Sequence, residues 1–209
     1  MIFVEKYKQY GFVYFIQRLV LNVLSKVGIR IDRWLVCTQH INITNQKRIT
    51  ISENFNVKKL SYTDFENANK FNSYKLNSFK LRFKKKTLEA FGVFDSKHKL
   101  AYYCWISLKE FHFSKNLYQM NLKDSQGLMF DAFCFPEFRG NKLHNFMNFY
   151  RLKKLSEFGK TEAVVVLLSQ NIPARKSQKK ANFTCYRTII TYSFFGKKGY
   201  YTSNKKINL

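Results

Sequence analysis

The chain has 209 residues, enough for one substantial core and a small appendage, and its 45% hydrophobic content excludes a disordered polypeptide. Its 37 Lys and Arg face 13 Asp and Glu, a formal net charge of +24. That excess directs the chain towards anionic partners: nucleic acid, an acidic protein, a membrane surface or a phosphorylated ligand. Richness in Lys together with Asn, Phe, Tyr and Ile is also what a compositional origin of the charge would leave.

In chain order, residues 11–27 read GFVYFIQRLVLNVLSKV. Phe12, Ile16, Leu19, Val23 and Val27 share one face of a helix, and Arg18, Asn22, Ser25 and Lys26 share another. The stretch is too short and too polar to span a bilayer, and no small-residue cleavage site follows it. It is an amphipathic arm, suited to docking on its own domain or a second subunit, or to lying in a membrane interface. Residues 31–37, IDRWLVC, fit an edge strand or an extended link, and 40–54 fit a connector. The arm and connector thus cover 1–54 and the main domain 55–209.

Within the main domain, 57–62 is a short strand, with Thr63 and Asp64 placed to cap a helix over 65–71. A basic helix covers 73–86. Strands over 88–94 and 100–108 are joined by the turn Asp95-Ser96-Lys97-His98. GLMFDAFCF at 127–135 is a further strand, ended by Pro136. A helix over 140–158 follows, then the unbroken apolar run AVVVLL at 163–168, as a strand covered on both faces requires. Strand, helix and strand in this order form a right-handed crossover between parallel strands. A polar helix over 173–182 and a strand over 183–194 complete the reading. The fold class is α+β: a mixed, mostly antiparallel twisted sheet with helices on both faces and an N-terminal amphipathic helical arm. Cys37, Cys104, Cys134 and Cys185 include no Cys-x-x-Cys pair and fit no zinc spacing. They are expected as reduced, small core residues in a cytoplasmic protein.

FPEFRGNKLH, at 135–144, sits where a parallel strand hands over to a helix. The first helical turn there has unpaired N–H groups and a partial positive charge, so an anion is favoured. This loop, the long helix, the apolar strand and NIPARKSQKKANF at 171–183 together resemble the GNAT superfamily of acyl-CoA-dependent N-acyltransferases. The family's pyrophosphate loop reads Arg/Gln-x-x-Gly-x-Gly/Ala. Arg139 holds the first position and the Arg139-Gly140 doublet is kept, but Lys142 and His144 replace the two small residues. Downstream, Asn171, Ala174, Lys180 and Phe183 match the family's spacing, with Gln178 at its Tyr position and Asn182 at its Gly position. The resemblance implies a GNAT-like domain over roughly 55–195. It assigns acyl-CoA contacts to Phe133, Cys134, Phe135, Phe138, Arg139, Gly140, Asn141, Lys142, Leu143, His144, Asn171 and Lys180. Lys142 adds a cation beside the expected pyrophosphate. His144 would narrow the groove, face the helix surface, or donate a hydrogen bond.

Acyl transfer to an amine needs a neutral amine, a donor for the developing oxyanion and reactants held in line. By resemblance, the oxyanion donor is a backbone N–H on the strand before the loop, and the pantetheine arm pairs with that strand at 133–135. Asp131 and Glu137 are candidate bases. Asp131 lies inside an apolar strand, where a carboxylate needs a partner. No covalent intermediate is implied, so Cys134 reads as a core thiol. Gln178 removes the family's tyrosine acid, leaving Ser177 or water to protonate the leaving thiolate.

The resemblance therefore implies an N-acyltransferase using acetyl-CoA or another acyl-CoA, with an acyl carrier protein thioester as the other donor class. The acceptor it implies is a small amine, such as a phosphorylated or nucleotide-linked amino sugar of a surface-polysaccharide precursor. The chain would be cytoplasmic, with peripheral contact at the inner face of the membrane through the arm, and a homodimer is a second use of the same arm. A silent GNAT-fold docking module and a basic nucleic-acid-binding protein are the rival readings. No RNA-binding fingerprint accompanies Lys84-Lys85-Lys86 or the basic residues at 175–180, which makes nucleic acid the weaker rival.

Overall fold

The computed structural model describes residues 12–43, 50–113, 118–205 and 207. The chain divides into two compact units. One comprises residues 40–111 and 121–164. The other comprises 1–39, 112–120 and 165–209.

The first unit is built on strands β2 (Phe55–Lys59), β3 (Leu88–Asp95), β4 (Leu100–Ser107) and β7 (Gln126–Cys134), ordered β2-β3-β4-β7, each antiparallel to its neighbour. Every residue of β4 is buried, so both of its faces are covered. Helices α2 (Tyr62–Asn67) and α3 (Ser73–Phe83) cover the face carrying Tyr103 and Trp105. Phe65, Phe79 and Trp105 are fully buried there, with the Phe65 and Phe79 ring centroids 4.2 Å apart. Each such side chain contributes roughly 1.5–3 kcal/mol by burial. Helix α4 (Leu143–Glu157) covers the opposite face, with His144 against Tyr102 and Tyr150 against Phe91. Gly127 lets α4 approach β7: a Cβ there would stand 2.3 Å from Leu155 Cδ2. Strand β8 (Glu162–Leu168) starts in this unit, where Thr161 and Glu162 N–H both donate to Ser125 O beside the start of β7. The α4 crossover thus returns the chain parallel to β7, as its pattern requires.

The second unit orders its strands β10 (Lys197–Ser203), β9 (Thr184–Phe194), β1 (Ile29–His40), then the remainder of β8. Both β1–β9 and β9–β10 pair antiparallel. Helices α1 (Phe12–Lys26) and α5 (Ile172–Lys180) belong to this unit. A two-stranded pair, β5 (Glu110–Phe113) and β6 (Tyr118–Asn121), stands apart from the larger sheet.

Several expectations change. IDRWLVC is not an edge strand or a link but the middle of β1, flanked by β9 and β8; its Asp32 is neutralised by Arg30 at 2.8 Å. The N-cap of α2 is Ser61 rather than Thr63 or Asp64. Asp64 is the third helical residue and reaches back to the Ser61 N–H, closing a capping box. Cys37 and Cys185 are register partners on β1 and β9 and are joined as a disulfide, so they are not separate core thiols. Residues 1–11 of the expected arm and 44–49 of the connector lie outside the described residues.

Candidate active site

Strand β7 carries an extra residue opposite β4. Trp105 faces Phe130 and Tyr103 faces Phe133, so three steps on β7 match two on β4. Asp131 is at this bulge, in the left-handed region at φ +44°. Bulges of this kind re-aim a side chain. Here the Asp131 carboxylate meets two cations from one face of α3: Lys75 Nζ at 3.0 Å and Arg82 Nη1 at 2.5 Å. Burial pushes the Asp131 pKa up, but the charges of Arg82 and Lys75 outweigh it and hold the carboxyl below the usual range. It is ionised at neutral pH, and two bound cations make it a poor proton acceptor. Arg82 also stacks over Trp105 and Phe130, 5.2 Å from each ring centroid. The sequence flagged Asp131 as a carboxylate in need of a partner and missed the partners. The available signal was Lys75 and Arg82, seven apart on one basic helix and hence on one face.

Beyond the bulge, Tyr103 pairs with Phe133 and Tyr102 with Cys134, while Phe135 N–H donates to Ala101 O at 3.0 Å. Phe133 is 39% exposed and Phe135 is buried. Cys134 is half-buried, and burial pushes its thiol up from the ordinary value. It is not an activated nucleophile.

The loop then makes one 3-10 turn, Pro136–Phe138. Gly140 follows at φ +90°, with open space where a Cβ would sit. Asn141 ties the loop to itself through Nδ2 donating to Phe138 O at 3.0 Å. Lys142 is the N-cap of α4 at φ +58°, and no side chain caps that helix. The residue at the family's first small position thus keeps a glycine-like backbone while presenting an exposed ammonium. Asn182, at the downstream glycine position, also has left-handed backbone, at φ +59°. The first intrahelical bond of α4 runs from Phe146 N–H to Lys142 O. Its earlier N–H groups, with Lys142 and Arg139 beside them and no acid in the first turn, form a fitting cradle for a phosphate. Leu143 is buried beneath it.

His144 turns inward. Its Nδ1 lies 2.9 Å from the Tyr102 hydroxyl, and burial, then the Arg151 charge, lower its pKa to about 4. The ring is neutral and does not narrow the loop mouth; only its N–H belongs to the first turn. Arg151, 2% exposed, donates to Met147 O and Asn148 Oδ1. Nothing in the sequence marked this Tyr102–His144–Arg151 group.

Glu137 is exposed and ion-paired with Lys70, whose hydrogen bond holds the carboxyl below its usual range. Glu137 and Phe138 border a polar cleft of about 990 Å³ that also presents Asn56, Asn67, Lys70 and His98.

In the second unit, Asn171 caps α5, its Oδ1 accepting from Ala174 N–H at 3.2 Å. Ser177 Oγ and Gln178 Oε1 are buried without a hydrogen-bond partner, and Gln178 is 7% exposed. Lys180 is exposed in the last turn. Asn171, Ser177 and Lys180 therefore form one group, on α5, and the remaining candidates form another, on β7, the loop and α4.

No protein-family model and no curated protein sequence matches the chain. Solved structures do. A tandem GNAT protein from the clavulanic acid biosynthesis pathway is similar at TM-score 0.58 and 10% identity, over 90% of this chain and 58% of that one. A GCN5-related glucosamine N-acetyltransferase region of a fungal multi-domain GH3 β-N-acetylglucosaminidase is similar at TM-score 0.57 and 12% identity, over 85% of this chain and 23% of that one. A GCN5-related N-acetyltransferase from Kribbella flavida is similar at TM-score 0.55 and 12% identity, over 84% and 63%. The chain thus spans less than two thirds of the length of each. With the uncapped helix start after a bulged strand, these similarities give the chain the fold of the GNAT acetyltransferases.

Proposed function

We propose that the chain is an N-acyltransferase that takes its acyl group from acyl-CoA. The observation that carries this reading is the open, cationic start of α4. Gly140 and Lys142 adopt left-handed backbone there and no side chain occupies the helix N-terminus. Arg139, Lys142 and the first-turn N–H groups would hold the pyrophosphate, and β7 at 133–135 the pantetheine arm. When bound, acyl-CoA supplies an activated acyl thioester.

The chain's own residues do the rest. Asp131, fixed by Lys75 and Arg82, sits at the bulge that shifts the register of β7 against β4, beyond which Phe133 is 39% exposed. We assign it an organising role. We assign the general-base role to Glu137, exposed beside the polar cleft, acting through water once its pair with Lys70 opens. The acceptor we favour is an amino sugar, including a phosphorylated or nucleotide-linked precursor of a surface polysaccharide. The amides, carboxylates and aromatic edges of the cleft support a polar, hydroxylated ligand, and the fungal neighbour is a glucosamine N-acetyltransferase region. The test is a thermal-shift titration with acetyl-CoA, followed by an acetylation assay on glucosamine and its phosphorylated and nucleotide-linked forms. Arg139→Ala and Gly140→Asp should each reduce the shift. No shift with any acyl-CoA or CoA would turn the reading to a docking module or to carrier-protein dependence.

A further inference from the structure

The apolar stripe that the sequence predicts on the arm is exposed from Ile16 onwards. Ile16, Leu19, Val20, Val23 and Val27 recur at helical spacing and are 40–56% exposed. Leu21 and Leu24, on another side, are half-buried. A water-facing aliphatic stripe of this kind marks a surface that another phase or molecule covers.

The stripe adjoins a second apolar surface in the same unit. Gly28 turns the chain from α1 into β1, and its carbonyl accepts from Phe195 N–H at 3.0 Å. From there Ile31 on β1 stands opposite Tyr192 on β9, and Phe194 and Tyr201 fall on the same face of the sheet by register. All four are more than a third exposed, and Phe195, at the hairpin tip, is 78% exposed. Gly199 is needed here, because a Cβ would meet the Tyr192 hydroxyl at 2.4 Å.

The rim is cationic. Lys26, Arg33 and Lys197 are exposed beside these surfaces, Arg33 and Lys197 on the sheet face of Ile31 and Phe194 by register. Asp32 is already engaged by Arg30, and residues 165–209 contain nine Lys and Arg and no Asp or Glu. A second copy of the chain is a poor occupant, since a self-complementary contact would press these cations against their own counterparts. Apolar residues ringed by Lys, with Tyr and Phe at the margin, are the composition of an interfacial surface. Among the described residues no helix is long and apolar enough to cross a membrane.

We infer that this unit docks on a bilayer of anionic lipids, with the α1 stripe and the Phe195 hairpin tip inserted at the headgroup boundary and Lys26, Arg33 and Lys197 on the phosphates. The inference is independent of the acyltransferase reading.

The experiment is co-sedimentation of the full chain with vesicles of phosphatidylcholine alone and of phosphatidylcholine mixed with phosphatidylglycerol, at low and high salt, with light scattering on the protein alone. The parent chain should bind the anionic vesicles, bind the neutral ones at least tenfold more weakly, and lose affinity as salt rises. The paired change Leu19→Ser, Val23→Ser keeps the charge and removes apolar area from exposed positions, so it should fold as the parent does and lose binding. Arg33→Gln with Lys197→Gln should weaken binding on the order of tenfold. Absence of binding to anionic vesicles overturns the inference, as does binding that the serine pair leaves unchanged. So does a dimer in solution that the serine pair dissociates, which would assign the surface to a second copy.

Discussion

Lys142 shows how one residue can hold a loop's shape while changing its chemistry. A side chain at φ +58° bears a conformational cost of about 1–2 kcal/mol that glycine does not, and the structure keeps it where the ammonium is exposed beside an uncapped helix start. Lys142→Gly should therefore leave stability within about 1 kcal/mol of the parent in urea unfolding, yet weaken CoA binding several-fold, more at low salt than at high salt. Binding as tight as the parent's at every salt concentration would make the charge incidental. Asp131 gives a second test. Its native pKa lies below the unfolded value, so the stability it contributes is complete at neutral pH and is lost as pH falls through the carboxylate range towards the native pKa. Asparagine tolerates the left-handed backbone at this bulge, so Asp131→Asn isolates the charge. It should cost about 2 kcal/mol and remove that acid-side loss. His144 works in the same direction by another route. It stays neutral in the fold down to about pH 4, whereas the unfolded chain binds a proton below 6.5. Stability should fall by ~3 kcal/mol between those pH values, and His144→Gln should flatten the slope.

At the scale of elements, α4 on β7 is the contact that positions the proposed phosphate cradle. Gly127→Val would drive a branched side chain into Leu155, costing about 1–3 kcal/mol in urea unfolding and weakening acetyl-CoA binding with it. A variant that is destabilised but binds normally would separate the cradle from this contact. The elements legible in the sequence were those with a strong apolar period or a clear stop: β3, β4, β7, α4 and β8. The helix start moved from 140 to Leu143 because Gly140 and Lys142 spend their left-handed conformations on the loop. β10 escaped because KKGYYTS is a largely exposed strand with no buried alternation to read. β1 was underestimated because Arg30, Asp32 and Arg33 mimic an edge, although Arg30 and Asp32 neutralise each other. For the candidate site, the sequence showed the loop itself, with Gly140 and Lys142 ahead of a helix. The site was hidden where it rests on side chains meeting across elements, as Lys75 and Arg82 meet Asp131 and Tyr102 meets His144.

At the scale of the molecule, the +24 charge divides by task. Some cations sit at the start of α4, where a cofactor phosphate would be held, and others ring the exposed apolar surfaces of α1 and the β9–β10 hairpin. The central claim is that the start of α4 is a phosphate cradle serving an acyl donor. Isothermal titration of the full chain with acetyl-CoA, and with an acetylated pantetheine that lacks the pyrophosphate, tests it most directly. Saturable acetyl-CoA binding that weakens with salt, with the pantetheine bound at least about tenfold more weakly, is the result expected from charged contacts to phosphate. Equal binding of the two, or no binding of acetyl-CoA, would contradict it.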